Sequence, residues 1–158
     1  MNDQTSKRVL GKIPANKCSM VKALDVLGDR RAMLILREAF YGVSRFEEIR
    51  SDLSIPRSVL SARLSLLVDA GLLEKKPYQE AGNRSRFEYR LTKKGWDLLP
   101  AFIALMQWGD KYVSKKRKPP LVLRHRATGK RARVAFISED GHVIENAEDL
   151  CADIKDLK

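Results

Sequence analysis

Residues 44–73 read SRFEEIRSDLSIPRSVLSARLSLLVDAGLL, and this stretch decides the fold. Its pattern predicts two helices joined by a tight turn. Ser44 and Glu47 have the spacing of a capping box, with Ser as the cap and the acid reaching back to it. Phe46, Ile49 and Leu53 fall at i, i+3 and i+7, one face of a short helix. Leu53, Ser54 and Ile55 break that helix. Pro56 is tolerated in the first turn of the next, where its missing N–H is no loss. Leu60, Leu64, Leu67 and Val68 form the buried stripe of the second helix, and Gly71 ends it.

The other face of that second helix, 56–71, carries Arg57, Ser58, Ser61, Ala62 and Ser65, with Arg63 beside them. Small side chains let a helix approach a groove closely. Ser donates to phosphates or base edges, and Arg pairs with guanine or phosphate. These are the requirements of a recognition helix. The same pattern also suits the solvated face of an ordinary helical hairpin.

The next segment favours nucleic acid. Leu73–Tyr78 and Phe87–Leu91 read as two short strands, separated by Glu80, Gly82, Asn83 and Ser85, which are turn residues. Lys75, Lys76, Arg84, Arg86 and Arg90 decorate this hairpin. A basic hairpin after a recognition helix is a wing. It contacts phosphates, or inserts a tip residue such as Arg84 into the minor groove. Ser44, Arg45, Pro56 and Lys76 complete the candidate DNA-binding set.

Further motifs extend the pattern on both sides. ALDVLGD, LILREAFYG, RFEEI, VLSARL, AGLLEKKPY and YRLTKKG lie between Cys18 and about Tyr112. Together they resemble the HxlR family of bacterial winged helix-turn-helix regulators, which is related in fold to the MarR regulators. The resemblance implies a homodimeric, sequence-specific DNA-binding transcription regulator. In one departure, Arg31 stands where the family usually has Trp.

The segment 92–113 points the same way. Thr92 is a plausible N-cap, and Pro100 must kink or restart the helix. Leu98, Leu99, Phe102, Ile103, Leu105, Met106, Trp108 and Tyr112 are more apolar residues than a helix on a small core needs. The expectation is a dimer seam, as the family resemblance implies. Before the helix-turn-helix, Val21, Leu24 and Leu27 mark a first helix ended by Gly28. Ala32–Tyr41 is a second helix, apolar nearly all round, as suits the centre of a small domain.

The 158 residues allow one domain with a real core plus an appendage. Net charge is +11, which implies a polyanionic partner, with nucleic acid ahead of an anionic membrane. The charge is uneven. Residues 111–133 carry ten Lys or Arg and no acid, whereas 134–158 carry seven acids and two Lys. These blocks can pair with each other, so the basic one need not all face DNA. The expected organisation is a flexible basic arm (1–17), a winged helix and dimerisation domain (18–113) and a C-terminal extension (114–158). The fold class is α+β and mostly α.

In the extension, Leu121–Leu123 and Val134–Ile137 read as strands, with Thr128-Gly129-Lys130 and Ser138–Gly141 as turns. His142–Ile144 comes after the second turn, and Glu145–Leu157 reads as a terminal helix. Some family members carry a similar extension with cysteine pairs at its turns. Here those turns read ATGK and SEDG, which leaves a zinc ion no ligands. The expected use is an extended dimer surface or the frame of a small-molecule pocket.

Two cysteines, Cys18 and Cys151, are too few for a disulfide scaffold and fit a reducing cytoplasm. No signal peptide or transmembrane run is apparent. No nucleophile–base constellation, phosphate loop or cofactor motif is found, so catalysis is not expected. A second class of function is a winged helix used for protein–protein contact. It would expose apolar residues on the recognition helix and wing, where this chain has Arg, Lys and Ser. Cys18 stands just before the first helix, beside Lys17. A thiol at a helix N-terminus near cations is favoured as thiolate. Some HxlR regulators sense oxidants or quinone-like electrophiles with a cysteine at the matching place. Cys18 is therefore a candidate sensor, and a small-molecule or electrophile effector is the expected signal. The alternative for Cys18 is a small hydrophobe that seats the helix.

Overall fold

A computed structural model describes residues 13–79, 85–114 and 121–151. The chain divides into two compact units. The larger, residues 23–121, is a winged helix. Its helices run in the order α1 (Ser19–Leu27, which begins before the unit boundary), α2 (Arg30–Phe40), α3 (Phe46–Leu53) and α4 (Arg57–Asp69). The hairpin β1 (Leu73–Tyr78) and β2 (Arg86–Leu91) comes after them, then α5 (Lys93–Trp96) and α6 (Leu99–Tyr112).

The core forms where α2 meets α4. Ile35 and Leu36 of α2, Ile49 of α3 and Leu60, Leu64 and Leu67 of α4 are fully buried together. Val68 is only half-buried at the edge of this cluster. Asp29 starts α2, with its Oδ1 accepting from Ala32 N at 2.8 Å. Ser54 turns the chain between α3 and α4 in the left-handed region, at φ 50°. Pro56 is the N-cap of α4, one residue earlier than the first turn.

The expected capping box does not form. The N-cap of α3 is Arg45, without a side-chain cap bond. The main chain at 44–45 is instead drawn to the hairpin. Tyr89 N donates to Ser44 O at 2.8 Å, and Arg45 forms an antiparallel bridge with Glu88. Ser44 Oγ faces Glu88 at 3.5 Å, and Glu47 turns to Arg50 and Arg57. Strand pairing of the backbone has displaced the local cap.

β1 and β2 pair antiparallel from Leu73↔Leu91 to Tyr78↔Arg86, one residue longer on β2 than the sequence pattern. Thr92 joins three elements. Its hydroxyl donates to Gly71 O at 2.7 Å and accepts from Gly95 N at 3.1 Å, and its own N–H donates to Leu72 O. Lys94 Nζ donates to Ala70 O at 2.7 Å. The end of α4 is thereby tied to the start of α5. Pro100 does restart the helix, at the N-terminus of α6. Phe102 stacks edge-on against Phe40, with ring centroids 4.9 Å apart.

The expected dimer set divides here. Phe102 and Ile103 are buried within the single chain. Phe102 is a core residue, because α6 must bury one face against its own domain. Leu98, Leu99 and Met106 are half-buried, and Leu105, Trp108 and Tyr112 are exposed. No residue of α1 is buried, and Met20, Val21 and Leu24 are exposed.

The smaller unit takes the described residues up to Lys22 and those from Val122. Leu121–Leu123 is not a strand. The chain there makes a single bridge, Arg124↔Arg131, around a turn at Gly129. The second strand is shorter than expected. β3 (Phe136–Ile137) pairs with β4 (Val143–Ile144). Hydrogen bonds from Ser138 Oγ and His142 lower the pKa of the Asp140 carboxyl between them. The expected terminal helix does not start at Glu145. Ala147–Asp149 is a single 3-10 turn, capped by Asn146 without a side-chain bond, and Leu150 is extended. The rest of that helix, and most of the expected basic arm, lie outside the described residues.

Gly95 shows how tightly the α4–hairpin–α5 junction is closed. A Cβ there would meet Leu72 O at 2.3 Å and Leu91 Cδ2 at 2.9 Å. Gly95→Ala is expected to destabilise the domain by about 1–3 kcal/mol, the usual range for overpacking. Urea unfolding against Gly109→Ala, where a Cβ meets nothing within 4 Å, measures it.

Candidate nucleic-acid interface

The stripe of α4 that enters the core determines what stays outside. Leu60, Leu64 and Leu67 point inward, so Arg57, Ser58, Ser61, Ala62 and Ser65 are all exposed. This is the face expected from the sequence. Arg63 does not share it. Its side chain is one-third exposed, and its Nε lies 2.9 Å from Asp29 Oδ1. The two groups form a partly buried ion pair. The Ala32 N–H, with the Arg63 guanidinium, holds the Asp29 carboxyl below its ordinary value. Arg63 thus braces the cap of α2. Its position next to the leucine stripe turns it toward the neighbouring helix.

The recognition-helix N-terminus, the start of α3 and the wing enclose a cleft of about 780 Å³. Arg45, Arg57 and Arg86 line it, with Phe46, Tyr78, Phe87 and Tyr89. Arg45 lies over the Tyr78 ring at 4.8 Å, and Arg57 over Phe46 at 5.2 Å. Burial pushes the Tyr89 phenol up. The aromatic floor was not among the expected site residues. Strand alternation was the available signal, since Phe87 and Tyr89 share one face of β2. Cation–π contact holds the guanidinium groups flat and near the surface.

On the wing, two cations are already partnered by acids of their own strands. Lys76 pairs with Glu74 at 2.7 Å, and Arg90 with Glu88 at 2.8 Å. Lys75 sits over Phe87 at 4.0 Å. Arg86 is exposed on the edge of the cleft. Arg84, expected at the wing tip, lies outside the described residues. Ser44 is half-buried and Arg45 exposed where α3 begins.

A short helix, a turn, a second helix with a small basic face and a hairpin beside it form a winged helix-turn-helix. Residues 26–117 match the model of the HxlR-like helix-turn-helix family. The chain belongs to that family. It is a DNA-binding transcription regulator. Over 114 residues it is 47% identical to the HTH-type transcriptional regulator Rv3095 of Mycobacterium tuberculosis, covering 72% of this chain and 71% of the relative. Among solved structures, PA1607, assigned as a transcription factor, superposes with a TM-score of 0.74 at 36% identity. That match covers 87% of this chain and 95% of the other. The reduced form of the transcriptional regulator YodB from B. subtilis superposes with a TM-score of 0.53 at 27% identity. It covers 63% of this chain and 98% of the other.

Glu47 is the acid that neutralises the recognition-helix arginine. It pairs with Arg57 and with Arg50, whose Nε is 2.9 Å away, and these arginines lower its carboxyl pKa. Glu47→Gln keeps the shape and removes the charge. The variant is expected to bind duplex DNA several-fold more tightly, with a steeper salt dependence, because Arg57 then meets phosphate without a competitor. Fluorescence anisotropy titrations across a salt series test this, and unchanged affinity would contradict it.

Proposed function

We propose that the regulator acts as a homodimer on a pseudo-palindromic duplex, placing α4 in the major groove and the wing on the flanking backbone. The exposed face of Arg57, Ser58, Ser61, Ala62 and Ser65 carries this reading. It is small, polar and cationic, and it lies beside Arg45 and Arg86 at the mouth of the cleft. Arg57 and the serines are the specificity-reading groups. Arg45, Lys76 and Arg86 hold phosphates. The dimer seam includes Leu105, Trp108 and Tyr112 on α6, which are more than half exposed in the single chain. The rings of Trp108 and Tyr112 lie 5.9 Å apart and form one apolar ridge.

Half-sites are expected roughly 34 Å apart, one helical turn, so that two symmetric helices enter successive major grooves. Selecting bound fragments from the source genome yields the motif. Arg57→Ala or Ser61→Ala should relax base preference. Arg86→Ala should weaken all sequences alike and lower the salt slope by about 0.9 for each phosphate it no longer neutralises. Trp108→Glu should shift the sedimentation of the chain from dimer to monomer. A wild-type monomer at micromolar concentration, or an enriched motif without two-fold symmetry, contradicts the reading.

The proposed signal enters at Cys18. This residue is half-buried immediately ahead of α1, with Lys17 beside it and Lys22 one turn on, whose N–H donates to Cys18 O. The likeness to YodB, solved in a form named as reduced, supports a redox or electrophile input. With a quinone the sulfur adds across a conjugated C=C, and the thiol proton passes to the ring. Quinone should release DNA from the wild type and from Cys151→Ser, but not from Cys18→Ser. Equal release from all three, or from none, makes Cys18 a structural residue.

A further inference from the structure

We propose that the turn at residues 124–131 is a second DNA-contacting element, which holds duplex phosphates in addition to those held by the winged helix. The family match ends at residue 117, so this turn is not part of the shared winged helix. The proposal takes from the family only that the chain binds DNA.

The turn is built to present charge. Arg124, Arg126, Lys130, Arg131 and Arg133 are all exposed, and no acid occurs between residues 121 and 138. The only carboxylate partner among the described residues is Glu145, 3.6 Å from Arg133. By contrast, the wing neutralises two of its described cations with its own acids. Among the described residues, the C-terminal turn is therefore the denser unneutralised cationic element of the two.

Its backbone is fixed by local bonds. Gly129 N donates to His125 O at 2.8 Å, His125 N to Lys130 O at 2.8 Å and Ala132 N to Leu123 O at 2.9 Å. Gly129 supplies the left-handed φ of 67° that the turn requires. Arg124 donates to Gly129 O at 2.9 Å and braces the turn from within. Arg126, Lys130 and Arg131 stand exposed beside it. Arg124 and Arg131 also face each other across the antiparallel bridge. Like charges directly opposite are destabilising, and a polyanion laid along the turn relieves that repulsion.

The chemistry selects duplex phosphate. Residues 121–135 contain no Phe, Tyr or Trp on which unstacked bases of a single strand would lie. They form no amphipathic helix for an anionic bilayer. A short basic turn with Ala127, Thr128 and Gly129 at its tip tracks a phosphate backbone closely without reading bases.

The test uses the full-length chain and a mixed-sequence duplex of about 40 base pairs, long enough to include two half-sites. The variant is Arg126→Gln, Lys130→Gln, Arg131→Gln, which leaves Arg124 to hold the turn. The salt slope is expected to fall by about 2.7 per subunit, from three phosphate contacts, with at least a roughly tenfold loss of affinity. Arg126→Lys with Arg131→Lys should keep the wild-type slope, because a phosphate contact needs the charge and not the guanidinium fork. An unchanged slope overturns the proposal. So does a loss that the lysine variant shares. The Arg86→Ala variant lowers the slope through the wing, so failure of the winged-helix reading is seen separately. A wild-type chain that does not bind the duplex overturns both.

Discussion

The burial of three leucines on α4 against α2 is the constraint on which the other elements depend. Leu60, Leu64 and Leu67 recur every three or four residues, and α2 offers Ile35 and Leu36 to receive them. Each fully buried leucine contributes about 1.5–3 kcal/mol. That burial sets the rotation of α4 about its axis, and a helix so fixed has no freedom over which side chains it presents. Arg57, Ser58, Ser61, Ala62 and Ser65 are displayed because the leucines are hidden. A rotation of one residue, about 100°, would bury a serine edge and expose a leucine.

The wing depends on the same packing through the main chain. β1 starts soon after α4 ends, with Leu72 and Leu73 buried beside Leu67. β2 returns antiparallel and takes the chain at Ser44 and Arg45 as a further strand partner. The hairpin therefore closes onto the start of α3 as well as the end of α4. The arginine-lined cleft is the space between these three fixed edges. Aromatic rings make its floor, which spaces the guanidinium groups without adding charge that would compete with DNA. Glu47 is the exception, because it neutralises Arg57 across the cleft mouth.

The central elements were legible because their signals are periodic and long. The α4 helix is read from spacing within two residues of its observed bounds, and the two wing strands within one. Local rules failed where tertiary pairing overrode them. Ser44 and Glu47 have the spacing of a cap, yet the hairpin claims the Ser44 backbone, and two arginines claim the Glu47 carboxylate. Arg63 sits on a helix with a small, polar and cationic face, but only the fold reveals Asp29 beside it. In α6, composition signalled an excess of apolar residues without saying which way each would face. Phe102 went to the core through Phe40, and Trp108 stayed outside. The C-terminal elements are two residues long or a single turn, too short for periodicity to register.

The Thr92 junction makes α4 a pointer with its pivot at one end. Two hydroxyl bonds and the Lys94 ammonium fasten the C-terminal end of α4 to the threshold of α5 and α6. Arg57 sits at the far end, and thirteen helical residues span about 20 Å. A tilt of about 10° at the pivot therefore sweeps Arg57 through about 3.4 Å, close to one nucleotide step along a strand. A small change of angle at this junction is thus magnified into a nucleotide-sized shift at the exposed end of α4.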